Sequence, residues 1–390
     1  MSQRTALWSL AFRPFFLAAG LWAALALALW MVLFMTGRSL PSRFDPLFWH
    51  IHAMLFGFVP AAIAGFMLTA IPNWTGRTPI RGVALGALVT LWLLGRMDCL
   101  FSEVLPLWLA AVLDLAFPLA LCALVAREII AARNWRNLMM PLPIGVLGIA
   151  NLLMYLQLAG TGVPVGLGWR LAIAAVITLI SAIGGRIIPA FTRNWLVKHG
   201  SSALPAAHGW IDSAALATLH TGILGWAFFP ESRWVGALLF LAAVLNLWRL
   251  ARWRGWASTS EPLLVILHLG YAWVIVGAAL LGATMFSDAV LPAAAVHAFT
   301  AGAMGTMVLA VMTRVTRGHT GRPLEADRST TVIYLLITAA AVIRVAAEFA
   351  GAASMSLLAV SAALWVASFG LFILCYGPML ILRRADVGRG

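Results

Sequence analysis

Apolar runs of about 20 residues, separated by short polar segments, occupy almost the whole of this 390-residue chain. A helix rises about 1.5 Å per residue, so a run of this length spans the roughly 30 Å hydrocarbon core of a bilayer. Hydrophobic residues make up 63% of the chain and charged residues 10%, against about 45–50% and 25% in soluble proteins. The pattern predicts an all-α polytopic membrane protein that has the lipid bilayer as its surroundings.

Twelve such runs are predicted to be transmembrane helices. No soluble domain interrupts them, so residues 1–390 are expected to form a single transmembrane domain. Pro, Gly and Ser clusters such as Pro72-Asn73 mark the breaks, because these residues favour turns. The predicted spans lie near 15–36, 47–71, 82–101, 104–127, 138–159, 169–190, 210–229, 234–250, 262–284, 290–313, 330–350 and 356–382.

Lys and Arg residues are distributed unequally between the two ends of these spans. With a cytoplasmic N-terminus, the inner segments carry 19 of them and the outer segments carry five, namely Arg38, Arg43, Arg96, Arg170 and Arg233. Cytoplasmic loops are enriched in Lys and Arg. The bias therefore predicts that both termini are cytoplasmic. The formal net charge of +13 is explained by these loops, and we expect no nucleic-acid partner.

A shift of 245 residues aligns the second predicted span with the tenth. His52-Ala53 falls on His297-Ala298, and seven of the 26 positions from residue 52 are identical. Residues 13–128 and 261–384 are therefore predicted to be two copies of one unit, with the middle four helices in 129–260. The copies are eight helices apart, so the repeat is parallel, and paired copies often frame a shared site.

Five histidines fall within the predicted spans, and polar groups in lipid usually face the bundle interior. They are His50, His52, His220, His268 and His297. Imidazole suits copper, iron and zinc, and it is an axial ligand of haem iron. The alternative for a lone membrane histidine is a hydrogen bond to a carbonyl group of the next helix.

His50 and His52 are two residues apart, so on a regular helix they point about 200° apart. They can share one ion only if the chain there is irregular, as the preceding Asp45-Pro46 allows. The histidines in polar connections, His199, His208 and His319, are interpreted as solvated loop residues. The three cysteines, Cys99, Cys122 and Cys375, are interpreted as packing residues, and the tryptophans as an aromatic belt near the span ends.

Several charged residues also lie within or near the spans. Asp114 is mid-span and is a candidate proton relay. Arg96, Arg186 and Arg344 have two interpretations: they hold the propionates of a haem, or they form ion pairs inside the membrane, for example with Asp114. Arg344 and Glu348 are four residues apart and can pair along one helix face.

Seven stretches of the chain together resemble the NnrS family of haem- and copper-containing membrane proteins. They are FRPFFLAAG (12–20), WHIHAMLFGF (49–58), GFMLTAIPNWTGR (65–77), GGRIIPAFTRNW (184–195), LHLGYAW (267–273), VHAFTAGAMGTMVLAVMTR (296–314) and GHTGR (318–322). They include Arg13, Asn73, His319 and Arg322 as further motif residues. The resemblance implies a bacterial inner-membrane protein that binds haem and copper and acts in nitric oxide metabolism, nitrosative-stress tolerance or denitrification.

Given the resemblance, the depths of the histidines suggest how they divide between the two cofactors. Copper is assigned to His50, His52 and His297, and haem to His220 and His268, with His297 as the alternative haem ligand. The absence of a CxxCH motif excludes covalent c-type attachment and favours b-type haem. The family motif usually has Glu where this chain has Ala53, and Asp114 or Glu103 is a candidate substitute.

Three functions remain open from the sequence. The chain binds or reduces nitric oxide as a reductase-like oxidoreductase with an unknown electron donor, or it senses or sequesters the gas without turnover. Alternatively it is a transporter, in which the histidines mark a path for a metal ion or haem. In the third interpretation it is a structural or assembly factor whose histidines only pack.

Overall fold

The computed structural model describes residues 6–382, and within them it is all-helical with no strand. Four arginines counted above, Arg4, Arg383, Arg384 and Arg389, lie outside the described residues. The twelve long helices of the described part are α1 Phe12–Thr36, α2 Pro46–Thr75, α3 Val83–Phe101, α4 Leu107–Ala131, α5 Pro141–Leu158, α6 Leu167–Lys198, α7 Trp210–Phe228, α8 Arg233–Arg252, α9 Pro262–Thr284, α10 Pro292–His319, α11 Arg328–Ala346 and α12 Ser354–Ile381.

Eleven of these helices are long and apolar enough to cross a membrane, counted over the described residues. The exception is α7, which carries Asp212 and His220 within its span. The prediction of a polytopic all-α membrane protein is confirmed. The predicted number of twelve spans depends on whether α7 crosses the bilayer.

Four helices extend four or more residues beyond their predicted ends, which are at 71, 127, 190 and 313. The second helix continues through Pro72-Asn73 to Thr75 and ends at Gly76, whose φ of 70° ordinary residues rarely adopt. The sixth and tenth helices end at Lys198 and His319. The sixth has 32 residues, or about 48 Å of helix, which exceeds the hydrocarbon thickness. Hydropathy marks where lipid ends, whereas the helical hydrogen bonds continue into the polar region.

The N-terminus of α2 is a regular helix start. The carboxylate of Asp45 accepts hydrogen bonds from the backbone N–H groups of Leu47 and Phe48, and Pro46 occupies the first helical turn, which is a common cap arrangement. The chain is therefore already helical at His50 and His52. The irregular entry that shared ligation by these two residues requires is not present.

Directly after His52, α2 changes to π-helix over Ala53–Phe58, and α10 does the same over Ala298–Gly305, directly after His297. Two indoles donate to carbonyl groups of the first stretch: Trp22 to Ala53 and Trp92 to Gly57, both at 2.9 Å. Backbone groups inside a membrane need such partners. These two tryptophans are buried, so they do not belong to an aromatic belt.

The bounds of other elements also repeat at the 245-residue shift. The helix Val83–Phe101 corresponds to Arg328–Ala346, and the 3₁₀ turn Ser102–Val104 corresponds to Ala347–Phe349. The two π-helical stretches begin at Ala53 and Ala298, again 245 residues apart. The duplicated unit stays a prediction, and these shared bounds support it.

The chain divides into two compact units. The first consists of residues 1–172, 312–324 and 366–390, and the second of residues 173–311 and 325–365. In the first unit, Arg13 donates to the carbonyl groups of Met379 and Leu380 at 2.9 and 3.0 Å, and so caps the end of α12. In the second unit, the core side chains of α9, such as Leu267 and Tyr271, are fully buried.

Fusions of alkaline phosphatase, which is active only outside the cytoplasm, test the helix count and the orientation. If α7 crosses the bilayer and both termini are cytoplasmic, we expect activity from a fusion after Glu231, between α7 and α8. We expect none from fusions after Ser201 or after Thr259, which flank these two helices. An inactive Glu231 fusion beside an active fusion after Gly162 would show that α7 does not span.

Candidate functional site

The first unit contains a polar cluster buried among four helices. Within the described residues, the cluster consists of His52 on α2, three residues on α3, Asp114 on α4 and two residues on α5. All are at most 4% exposed. The seven residues are His52, Arg96, Asp98, Cys99, Asp114, Asn151 and Tyr155.

Both ring nitrogens of His52 have hydrogen-bond partners. Its Nε2 lies 2.8 Å from Oδ2 of Asp114 and 2.9 Å from Oδ1 of Asn151. Its Nδ1 lies 3.3 Å from Sγ of Cys99. The ring also stacks on Phe44, with 4.7 Å between centroids. These contacts fix the imidazole on every side and leave neither nitrogen open for a metal.

Asp114 is the anion at the centre of the cluster. It forms an ion pair with Arg96 through Oδ1, and its Oδ2 accepts a 2.7 Å hydrogen bond from Nδ2 of Asn151. Gly95 makes this close approach of α3 and α4 possible, because a Cβ atom there would lie 2.6 Å from Oδ1 of Asp114. A buried charge is tolerated only when it is paired and hydrogen-bonded, and Asp114 meets both conditions.

Asp98 and Tyr155 complete the cluster. The hydroxyl oxygen of Tyr155 lies 3.1 Å from Oδ2 of Asp98 and 3.4 Å from Oδ2 of Asp114. Oδ1 of Asp98 is buried and has no hydrogen-bond partner. The Tyr155 hydroxyl therefore bridges two carboxyl groups that differ strongly in how many donors they have.

The described residues show no shared metal site formed by the three histidines predicted to bind copper. His52 has no open nitrogen, and His50, in the same regular helix, instead stacks on Trp30 with 4.3 Å between centroids. His297 directs Nδ1 to the carbonyl oxygen of Ala293 at 2.8 Å. Among the described residues, no group of three or more His, Cys, Asp and Glu side chains is arranged to hold a metal ion.

The second unit has its own buried polar cluster, which includes the predicted haem ligand His220. Arg249 donates through Nε to Asp212 at 3.1 Å and through Nη1 to the Tyr271 hydroxyl at 2.6 Å. Nε2 of His220 lies 2.8 Å from Oγ of Ser181. Arg249 is one of the 19 Lys and Arg residues assigned to the inner segments. It is only 1% exposed, so it is part of the core.

His268, the other predicted haem ligand, lines a cleft of about 360 Å³ in the second unit. The lining is mostly apolar and includes Leu247 and Leu250 of α8, Gly255 and Trp256 of the following turn, and Val265 of α9. Nδ1 of His268 lies 3.0 Å from the carbonyl oxygen of Leu264, and Nε2 is buried without a hydrogen-bond partner. An Nδ1–H bond to that carbonyl leaves the Nε2 lone pair available to a ligand.

The predicted haem-propionate partners have other positions. Arg96 pairs with Asp114, and Arg344 pairs with Glu348 one helical turn away. Arg186 is exposed on α6. None of the three is among the described residues that line the cleft of His268.

The remaining motif residues lie at helix ends. Asn73 is exposed in the last turn of α2. His319 is the exposed last residue of α10, with its ring 5.6 Å from that of Phe12, so it is solvated but helical. Arg322 donates to the Thr320 hydroxyl at 2.9 Å. These contacts, like those of Arg13, connect structural elements and give no sign of a ligand.

Sequence reasoning missed Asp98, Asn151 and Tyr155, and it treated Cys99 as packing only. A signal was present: Arg96, Asp98 and Cys99 lie within four residues near the end of an apolar span, where polar groups are costly. What sequence lacks is the pairing of α3 with α4 and α5. That pairing decides which of these groups meet.

The fold and its buried clusters define a polytopic helical membrane protein with histidine, arginine and carboxylate side chains held inside its helices. A family model described as NnrS protein matches residues 6–384. The chain therefore belongs to the NnrS family, as its motifs predicted, and membership supports a general role in the response to nitric oxide. A comparison with curated proteins finds no match.

Replacing Asp114 with Asn should cost far more stability than breaking a less buried ion pair. The change leaves the Arg96 guanidinium buried without a counter-charge, for which we expect a loss of about 3–5 kcal/mol. The matched control, Glu348→Gln, breaks the partly exposed pair with Arg344 and should cost less than about 1 kcal/mol. Unfolding in mixed micelles measures both, and equal losses would contradict the central role of Asp114.

Proposed function

We propose that the protein binds a b-type haem at His268 and uses it to bind nitric oxide in the membrane. One observation carries this proposal: His268 has a buried Nε2 without a hydrogen-bond partner and lines a mostly apolar cleft. The volume of the cleft, about 360 Å³, is in the range of small-molecule sites, about 300–1,000 Å³. Haem iron takes a histidine nitrogen as its axial ligand.

The residues around His268 each have a definable part in holding such a group. The carbonyl group of Leu264 fixes the imidazole through Nδ1, and a fixed ring presents its other nitrogen in one direction. Leu247, Leu250 and Val265 provide apolar contact area and keep water away. When bound, the haem would supply an iron atom that coordinates nitric oxide, and the apolar gas can reach it through lipid.

Gly255 has a specific role in this arrangement. A Cβ atom at this position would lie 2.8 Å from Nε2 of His268, closer than van der Waals contact allows. The absence of a side chain therefore lets this turn pack against the His268 ring without crowding Nε2. His220 is a weaker candidate ligand, because its Nε2 is already hydrogen-bonded to Ser181.

Copper is not included in this proposal, because the described residues show no shared metal site formed by the predicted ligand set. Reduction of nitric oxide would also require an electron donor, whereas binding or sensing the gas would not. Transport of a metal ion or haem remains the alternative function, and uptake into liposomes would test it.

The protein purified from haem-replete cells should show a Soret band that shifts when nitric oxide is added. His268→Ala removes the proposed axial ligand, so haem content should fall about tenfold or more. Gly255→Ala keeps the ligand but crowds Nε2, and should also lower haem content. The matched control, His208→Ala, changes an exposed histidine and should leave the band unchanged. A full-intensity Soret band in His268→Ala would overturn the proposal.

A further inference from the structure

Asp98 is a buried carboxyl group that the haem proposal does not use. It is 4% exposed in the α3 span, and among the described residues it takes part in no ion pair. Its Oδ2 lies 3.1 Å from the hydroxyl oxygen of Tyr155, and its Oδ1 has no hydrogen-bond partner. An ionised carboxylate with one donor and no cation is costly to keep in a membrane interior.

The charges around Asp98 are already balanced without it. On its own helix, Arg96 pairs with Asp114 of α4, and the two charges cancel. The contacts of His52 on α2 can be met by a neutral ring, with Nε2–H donating to Asp114 and Nδ1 accepting from the Cys99 thiol. The first helix contributes only the neutral indole of Trp22 to the cluster. With a neutral His52, an ionised Asp98 would leave the cluster with one uncompensated negative charge.

A single proton on Asp98 completes the hydrogen bonding as well as the charge balance. The Tyr155 hydroxyl has one proton but lies near two carboxyl oxygens, at 3.1 Å from Asp98 and 3.4 Å from Asp114. If Asp98 is protonated, its O–H donates to the Tyr155 oxygen, and the Tyr155 O–H donates to Asp114. The oxygen left without a donor, Oδ1, is then a neutral carbonyl oxygen instead of part of a carboxylate.

We propose that Asp98 is a proton-binding site, which holds one exchangeable proton in a hydrogen bond to the hydroxyl oxygen of Tyr155. Asp114, the proton relay predicted from the sequence, serves instead as the fixed anion that orients Tyr155. Beside the cluster, the Ser42 hydroxyl donates to the backbone carbonyl of Cys99 and lies 3.2 Å from the Ser102 hydroxyl, which accepts from the backbone N–H of the exposed Arg43. Because a lone charge is costly here, Asp98 releases its proton only as another positive charge takes its place.

Infrared spectroscopy of the full-length protein in nanodiscs tests this directly. A protonated carboxyl group has a C=O stretch that carboxylates lack, and the chain has only 13 acidic residues. At neutral pH we expect this band in the wild type, and we expect it to move to lower frequency in D2O as the proton exchanges. A wild-type spectrum without the band, or a band that D2O does not move, would overturn the proposal.

Variants identify the residue responsible. Asp98→Asn should abolish the band, whereas Glu103→Gln, which changes an exposed acid in the adjacent turn, should leave it unchanged. Tyr155→Phe keeps the ring but removes the acceptor, so the band should persist at higher frequency. If Asp98→Asn does not fold, Tyr155→Phe decides, because a band at the wild-type frequency there rules out a protonated Asp98 that donates to Tyr155. Survival of the band in a folded Asp98→Asn protein rules out Asp98.

Discussion

The ion pair between Arg96 and Asp114 is the interaction on which the rest of the first unit's cluster depends. Neither charge is tolerated alone in lipid, so the pair requires α3 and α4 to lie in close contact. That contact requires Gly95, since a Cβ atom there would occupy the space of the carboxylate. The other carboxylate oxygen of Asp114, Oδ2, then orients His52 and Asn151.

His52 of the first unit and His268 of the second unit differ in how many of their ring nitrogens have hydrogen-bond partners. His52 is enclosed by partners on both nitrogens, which suits a residue that positions others. His268 has one nitrogen hydrogen-bonded to the Leu264 carbonyl and one without a partner, which suits a residue that binds a ligand. The first unit thus contains a cluster of paired charges, and the second contains a mostly apolar cleft that we propose binds a ligand.

Much of the fold could be predicted from the sequence, because hydropathy and turn residues are local properties. The helices, the family and the residues that are polar within spans were all accessible in this way. The divergence of His50 and His52 was also accessible, since Asp45 followed by Pro46 is a helix-start signal. That signal was interpreted as an irregular entry, and the copper assignment depended on this interpretation.

The partners of these residues could not be predicted, because they depend on which helices pack together. Asp114 had several arginines as possible partners, and only the packing of α3 against α4 selects Arg96. The uncrowded Nε2 of His268 depends on Gly255, a turn residue 13 positions away with no sequence signal of its own. Asp98 was missed because its significance lies in what it lacks, a cation and a second donor.

The π-helical stretch after His52 has a consequence for how members of this family are aligned and altered. Each residue in a helix turns the chain by about 100°, and a π-helical stretch accommodates one residue more than a regular helix of the same length. Deleting one residue between Ala53 and Phe58 would restore a regular helix and keep every member of the cluster in the sequence. It would also rotate His52 by about 100° away from Asp114. All side chains of the cluster would still be present, but the contact between His52 and Asp114 would be lost.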